Sequence, residues 1–280
     1  MRFDLVEFVA IAREELAPSA HRRGMSVRHI DASEDEIGSL SYENEDRALV
    51  LIVDPQQRTV DLKFGRRGPG SEGSHRSIPT WPLHEGGRSV LQLGRGLRRR
   101  SEAPVAYESS GLRSVVRDLV ARAELHSKEV FGHQVSEALS DKAVVFDTQW
   151  YGFIDLVVIE AASLIARHRL VPTRLFHVPR GTLFDWANAR RTVSFQLETM
   201  EGYMDVVYGN DHPMPGGTSR LLGRTGSLRR ILCDEGIAFP SGSRELYVPG
   251  GKATALRLLI ATMERYEARV FGSDWDADGA

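Results

Sequence analysis

The sequence predicts an α+β fold made of a tandem duplication of one helix–antiparallel sheet–helix unit. Two observations carry that prediction. The closing phrases "HSKEVFG" and "YEARVFG" recur 140 residues apart, and aligning Val116–Gly132 with Leu256–Gly272 gives seven identities in 17 positions. A second block, "LVLIVDPQQRTVDLKFG" (Leu49–Gly65), aligns without a gap on "VSFQLETMEGYMDVVYG" (Val193–Gly209) at an offset of 144. Blocks that recur in one order over a fixed interval mark a repeat architecture.

Taken in chain order, Leu5, Phe8, Val9, Ala12 and Leu16 fall on one face of a helix that Pro18 should end. Ile154, Val157, Val158, Ala161 and Ile165 do the same before Pro172. Apolar periodicity relates these two helices by 149 residues, and matching their "DL" pairs gives 151. The blocks Leu49–Gly65 and Val193–Gly209 read as strand, turn, strand. Asp54-Pro55 opens the first turn, and Val60, Leu62 and Phe64 alternate with polar neighbours. Leu49 to Val53 is apolar throughout, so both faces of that strand should be covered, whereas alternation in Val193–Glu198 should leave one face in water. Val116, Leu119, Val120 and Ala123, with Leu256, Leu259, Ile260 and Met263, form the stripes of the closing helices. Gly132 and Gly272 read as left-handed stops, and Phe131 and Phe271 as equivalent buried residues. "LGRGLRR" (Leu93–Arg99) echoes "LGRTGSLRR" (Leu222–Arg230) more weakly. Gly65–Pro82 reads as a long Gly, Ser and Pro-rich loop, and residues 136–150 as a linker. The expected domains are 1–140 and 146–280.

Composition excludes several classes. A net charge of −2 gives no global attraction to nucleic acid or acidic lipid. One cysteine, Cys233, rules out an intrachain disulfide and suits a reducing compartment. The longest apolar run, Leu156–Ala166, is broken by Glu160 and Ser163 and is too short to span a bilayer, so we expect a cytoplasmic chain without membrane contact. The excess of arginine over four lysines fits a GC-rich genome as well as any arginine-dependent role.

No run meets the requirements of a catalytic or metal-binding motif. "YVPGGKATALRLL" has Leu246 and Ala253 where a phosphate loop needs Gly and Ser or Thr, so Gly250-Gly251-Lys252 reads as a helix-entry turn. "SDWDADG" opens like a calcium loop but lacks the closing Glu. His126 and His133 have no companion ligands. Cys233 follows an apolar pair and reads as a small buried residue. We therefore expect no cofactor and no metal, and the reading favours a non-catalytic protein.

Two kinds of charged segment remain. Arg95, Arg98, Arg99 and Arg100, with Arg220, Arg224, Arg229 and Arg230, could hold a phosphate backbone. "DASEDEIGSLSYENED" (Asp31–Asp46) carries seven acids and no base, while the corresponding Thr173–Arg191 is basic and aromatic. The drop in offset from 149 or 151 to 144 makes the region between first helix and hairpin five to seven residues shorter in the second half. The contrast makes Glu34, Asp35, Glu36, Glu43, Glu45 and Asp46 the candidate contacts for a basic partner.

With a first helix, the hairpin "ALVLIVDPQQRTVDLKFGR" and the closing helix "LRSVVRDLVARAELHSKEVFG", each half resembles the small α+β immunity-like proteins of bacterial, notably actinobacterial, toxin systems. That resemblance implies a binder that neutralises a toxin domain. The pattern is also similar to the peptide-binding secretion-chaperone fold. A protein-binding module is the leading expectation, with nucleic-acid binding as the alternative.

Overall fold

The computed structural model describes residues 4–33, 37–67, 87–93, 104–107, 111–132, 137–178, 181–198, 202–209, 225–240, 242–246 and 248–272. The chain divides into two compact units, Met1–Gln149 and Trp150–Ala280. The expected linker is not irregular: a 24-residue helix, α5 (Glu137–Glu160), occupies it.

In the first unit, α1 (Leu5–Ile11) starts at Asp4, whose Oδ1 accepts from the amides of Val6 and Glu7. A π-helical stretch, Ala12–Leu16, leads into α2 (Ala17–His21). Pro18 does not end the helix as expected. It sits in the first turn of α2, where a missing N–H is tolerated. Strands β1 (Ser26–Ser33), β2 (Gly38–Glu43), β3 (Arg47–Asp54) and β4 (Thr59–Arg66) form an antiparallel meander. Two short strands, β5 (Arg88–Ser89) and β6 (Val105–Ala106), both pair with β4. Helix α3 (Leu112–Leu125) follows and breaks at His126 into α4 (Ser127–Val130).

The second unit has the same order. The end of α5 and α6 (Ala162–His168) precede the meander β7 (Val171–Val178), β8 (Gly181–Ala187), β9 (Thr192–Glu198) and β10 (Tyr203–Gly209). Strand β11 (Thr225–Ser227) adds to β10. Then come α7 (Leu228–Asp234), α8 (Ser243–Leu246), α9 (Gly251–Arg265) and, after a break at Tyr266, α10 (Glu267–Phe271). Apolar faces account for the packing: Leu49, Leu51, Val53, Val60 and Leu62 are fully buried with Phe8, Leu16 and Val116 in the first unit, as are Phe195, Val206 and Leu259 in the second.

Local contacts recur in register. Glu15 takes Arg117 and Glu160 takes Arg257, each through two hydrogen bonds. Gly24 and Arg169 both turn the chain at positive φ, 63° and 53°. Both meanders carry a register shift in the first strand, between Val27 and His29 and between Pro172 and Arg174. These pairs lie 145 apart, where apolar periodicity and the "DL" match gave 149 and 151. From the shift to the asparagine after the second strand, His29 to Asn44 is one residue longer than Arg174 to Asn188, not five to seven.

The turn after the second strand is the firmest shared device. Asn44 Oδ1 accepts from the amides of Asp46 and Arg47, and its Nδ2 donates to Arg23 O at the end of the opening helix. Asn188 does the same with Arg190, Arg191 and His168 O. The arginine three residues on reaches the closing helix: Arg47 donates to Glu129 O, and Arg191 to the carbonyls of Val270 and Gly272. The recurrent closing phrase is thus a helix break and a short helix held by this arginine. Its phenylalanine packs on the end of the opening helix, Phe131 under Arg23 at 5.7 Å and Phe271 stacked on His168 at 3.6 Å.

Three other expectations change here. Phe131 is buried, but Phe271 is only part-buried. Gly132 is left-handed at φ 78°, whereas Gly272 is extended, and a Cβ on Gly272 would lie 2.0 Å from Ala268 O. Cys233 is exposed, because Leu228, Ile231 and Leu232 form the inner face of α7 and position 233 turns away. On β3, Val50 is fully buried and Ile52 part-buried, as the apolar run requires. On β9, Ser194 is buried while Gln196 and Glu198 are part-buried, so no side chain of that strand stands fully in water.

Candidate functional site

The described acids of the acidic segment divide between surface and interior. Glu34, Asp35 and Glu36 lie outside the described residues. Glu45 and Asp46 are exposed in the turn after β2. Glu43, at the end of β2, is 1 % exposed, accepting from Ser41 Oγ at 2.8 Å and Arg67 Nε at 3.1 Å. Burial pushes its carboxyl above the usual range, against the pull of Ser41 and Arg67. It is a structural group and not a surface contact.

The basic segment of the second unit is largely internal too. Arg174 is buried and lies over the Phe176 ring at 5.3 Å. Arg191 is committed to the closing helix. Among the arginine clusters, Arg95, Arg98, Arg99, Arg100, Arg220 and Arg224 lie outside the described residues. Arg229 is half-buried between Tyr203 at 4.4 Å and Phe239 at 5.7 Å, and Arg230 is exposed.

Beside Arg229, Asp205 accepts from the amides of Val206 and Arg229, from Ser227 Oγ at 2.6 Å and from Tyr203 Oη at 2.9 Å. Burial, then the Asp205 charge, pushes the Tyr203 hydroxyl up to about 12. Asp61 accepts from Ser89 Oγ at 2.6 Å in the first unit. The serine in each case caps the short helical segment that follows, Ser89 for Val90–Gln92 and Ser227 for α7, while most of the weak "LGRGLRR" echo (Leu93–Arg99 with Leu222–Arg230) lies outside the described residues.

The surface that sequence reading missed is the first half of α5. Leu139, Val144, Val145 and Phe146 are 51 %, 42 %, 59 % and 46 % exposed. Leu139 and Phe146, seven apart, share one side of the helix, Val145 points outward and Val144 lies on the opposite flank. Only Ala143 and Asp147 are buried between Glu137 and Gln149. Asp147 Oδ2 lies 2.7 Å from His21 Nε2, and its Oδ1 accepts from the Val27 amide at 2.8 Å. Burial raises its carboxyl, while His21, the Val27 amide and Arg28 pull it down. The sequence signal was "ALSDKAVVFDTQW", apolar beyond any single helical stripe, which a linker reading conceals.

Elsewhere, an open, mostly apolar depression at the start of α9 is lined by Pro240, Glu245, Val248, Pro249 and Thr254. Gly250 there is left-handed and α9 begins at Gly251, the helix-entry turn that the sequence indicated. Among the described residues, no group of three or more His, Cys, Asp or Glu side chains is placed to hold a metal ion. No single described helix is long and apolar enough to cross a membrane. No family profile, curated protein or solved structure matches the chain.

Proposed function

We propose that the chain is a tandem duplication of one helix–sheet–helix unit and works as a non-catalytic protein-binding module. The duplication is supported by the paired Asn and Arg turn contacts, the paired Glu–Arg bridges and the matching bulges. The observation that carries the binding reading is the apolar surface of α5. Four large aliphatic or aromatic side chains stand about half exposed within little more than two turns, and clustered exposed apolar side chains mark interaction surfaces. A helix apolar on several sides ordinarily has a second layer against it. The occupant we propose is an apolar stretch of another polypeptide, the chaperone-like alternative among the protein-binding readings. Neutralising a basic toxin through one acidic face is less well supported, because Glu43, in the middle of that segment's described acids, is internal.

The test is suppression of aggregation of a thermally unfolding reporter protein. The wild-type chain should suppress it at near-stoichiometric ratios. Val145→Ser with Phe146→Ser should abolish suppression with no loss of melting temperature. A wild-type chain that leaves aggregation unchanged refutes this reading.

A further inference from the structure

The attachment of α5 to the first unit is unusual for a helix so apolar. Between Glu137 and Gln149 the buried side chains are Ala143, which contributes one methyl group, and Asp147. By contrast, α3 buries Leu112, Val116, Leu119, Val120 and Ala123. Around Asp147 the contacts are polar and few: His21 at 2.7 Å from the end of α2, the Val27 amide at 2.8 Å from β1, and Arg28 over the Phe146 ring at 5.3 Å. Thr148 turns inward on the helix itself, donating to Val144 O at 2.8 Å. Large aliphatic burial, which makes the opening of other helices costly, is missing along this stretch.

We propose that residues 137–149 are a detachable arm, latched to the first unit by the contacts of Asp147 with His21 and the Val27 amide. Losing that latch frees the arm while β1–β4 and α3 stay folded, because their core contains nothing from this stretch except Ala143 and Asp147. The arm carries Leu139, Val144, Val145 and Phe146, so the latch decides whether the apolar surface is fixed or swings free. The device follows from the packing of α5 and holds whatever α5 binds.

Hydrogen exchange on the full chain, read by mass spectrometry across a denaturant series, tests it without any partner. In the wild-type chain, amides of 141–149 should exchange at least tenfold faster than those of 115–124, with little dependence on denaturant, the mark of local opening. Asp147→Ala should speed 141–149 a further tenfold or more and leave 115–124 unchanged. Asp147→Asn, which keeps an acceptor for the Val27 amide, should fall between. The proposal is overturned if wild-type 141–149 shows the steep denaturant dependence of 115–124, or if Asp147→Ala leaves 141–149 unchanged or accelerates both segments equally.

Discussion

His29 offers a sharp thermodynamic test of how the first sheet is covered. It lies in β1 opposite Ser41, just past the register shift. Burial pushes its imidazole down to about 4 from an ordinary 6.5. Above pH 6.5 neither the folded nor the unfolded chain protonates this ring, so its contribution is fully present. As pH falls below 6.5 the unfolded chain takes up the proton and the folded chain does not, until about pH 4. Stability therefore falls across that window at about 1.4 kcal/mol per pH unit, to a total of roughly 3 kcal/mol.

Carboxyls act in the opposite sense. Glu43, Asp147 and Asp185 are all raised by burial, so their contributions are present at low pH and lost as pH rises through their folded values. The wild-type profile alone is thus a sum of opposing slopes, and the difference from His29→Gln isolates the imidazole. Urea unfolding of both chains at intervals from pH 7.5 to 4.5 should show the wild type losing about 2.5 kcal/mol relative to the variant by pH 4.5. A difference that stays flat over that interval would refute the claim that folding desolvates His29.

Two further substitutions address the shared contacts. Arg191→Ala should cost about 2–4 kcal/mol in urea unfolding, since it leaves the carbonyls of Val270 and Gly272 unanswered beside a buried position. Arg191→Lys should recover little, because one ammonium cannot reproduce the guanidinium fork. Asp205→Ala removes an acceptor that serves four donors and should cost about 3 kcal/mol, more than Asp61→Ala, whose hydrogen bond is to Ser89.

How much of this was legible depended on whether the sequence signal fixed a register. The hairpins were legible because a strand has period two, and a one-residue slip would turn Leu49 and Val193 to the wrong face. The closing helices were legible from their identities at a single offset. The opening helices were not, for a simple reason. Sliding an amphipathic helix by four residues, about one turn, leaves its stripe almost in phase, so periodicity could not tell 149 from 145. Only Glu15 with Glu160, and the turns at Gly24 and Arg169, separate them. Nor could spacing show that Asn44 and Asn188 are clamps, since an isolated Asn reads as any turn residue.

Part of the charge contrast between the two units is internal. On the side of the sheet away from the apolar core, each unit buries a carboxylate on its second strand: Glu43 in one and Asp185, two residues out of register, in the other. Glu43 is answered from inside its own unit by Ser41 and Arg67, and Asp185 in part by Ser194 with Arg174 nearby, its Oδ1 being buried without a hydrogen-bond partner. A buried charge needs such an answer, because removing one member of a pair strands the other. Glu43 in the acidic segment, with Arg174 and Arg191 in the basic one, is therefore explained by internal compensation. The described charges that still face outward at corresponding positions are Glu45 and Asp46 in one turn, against Ala189 and Arg190 in the other. These flank the two clamping asparagines, so their side chains vary while the backbone beneath them is held. Within these two segments, any charge-selective contact made by described residues is concentrated at this pair of turns, where exposed side chains can differ without disturbing either core.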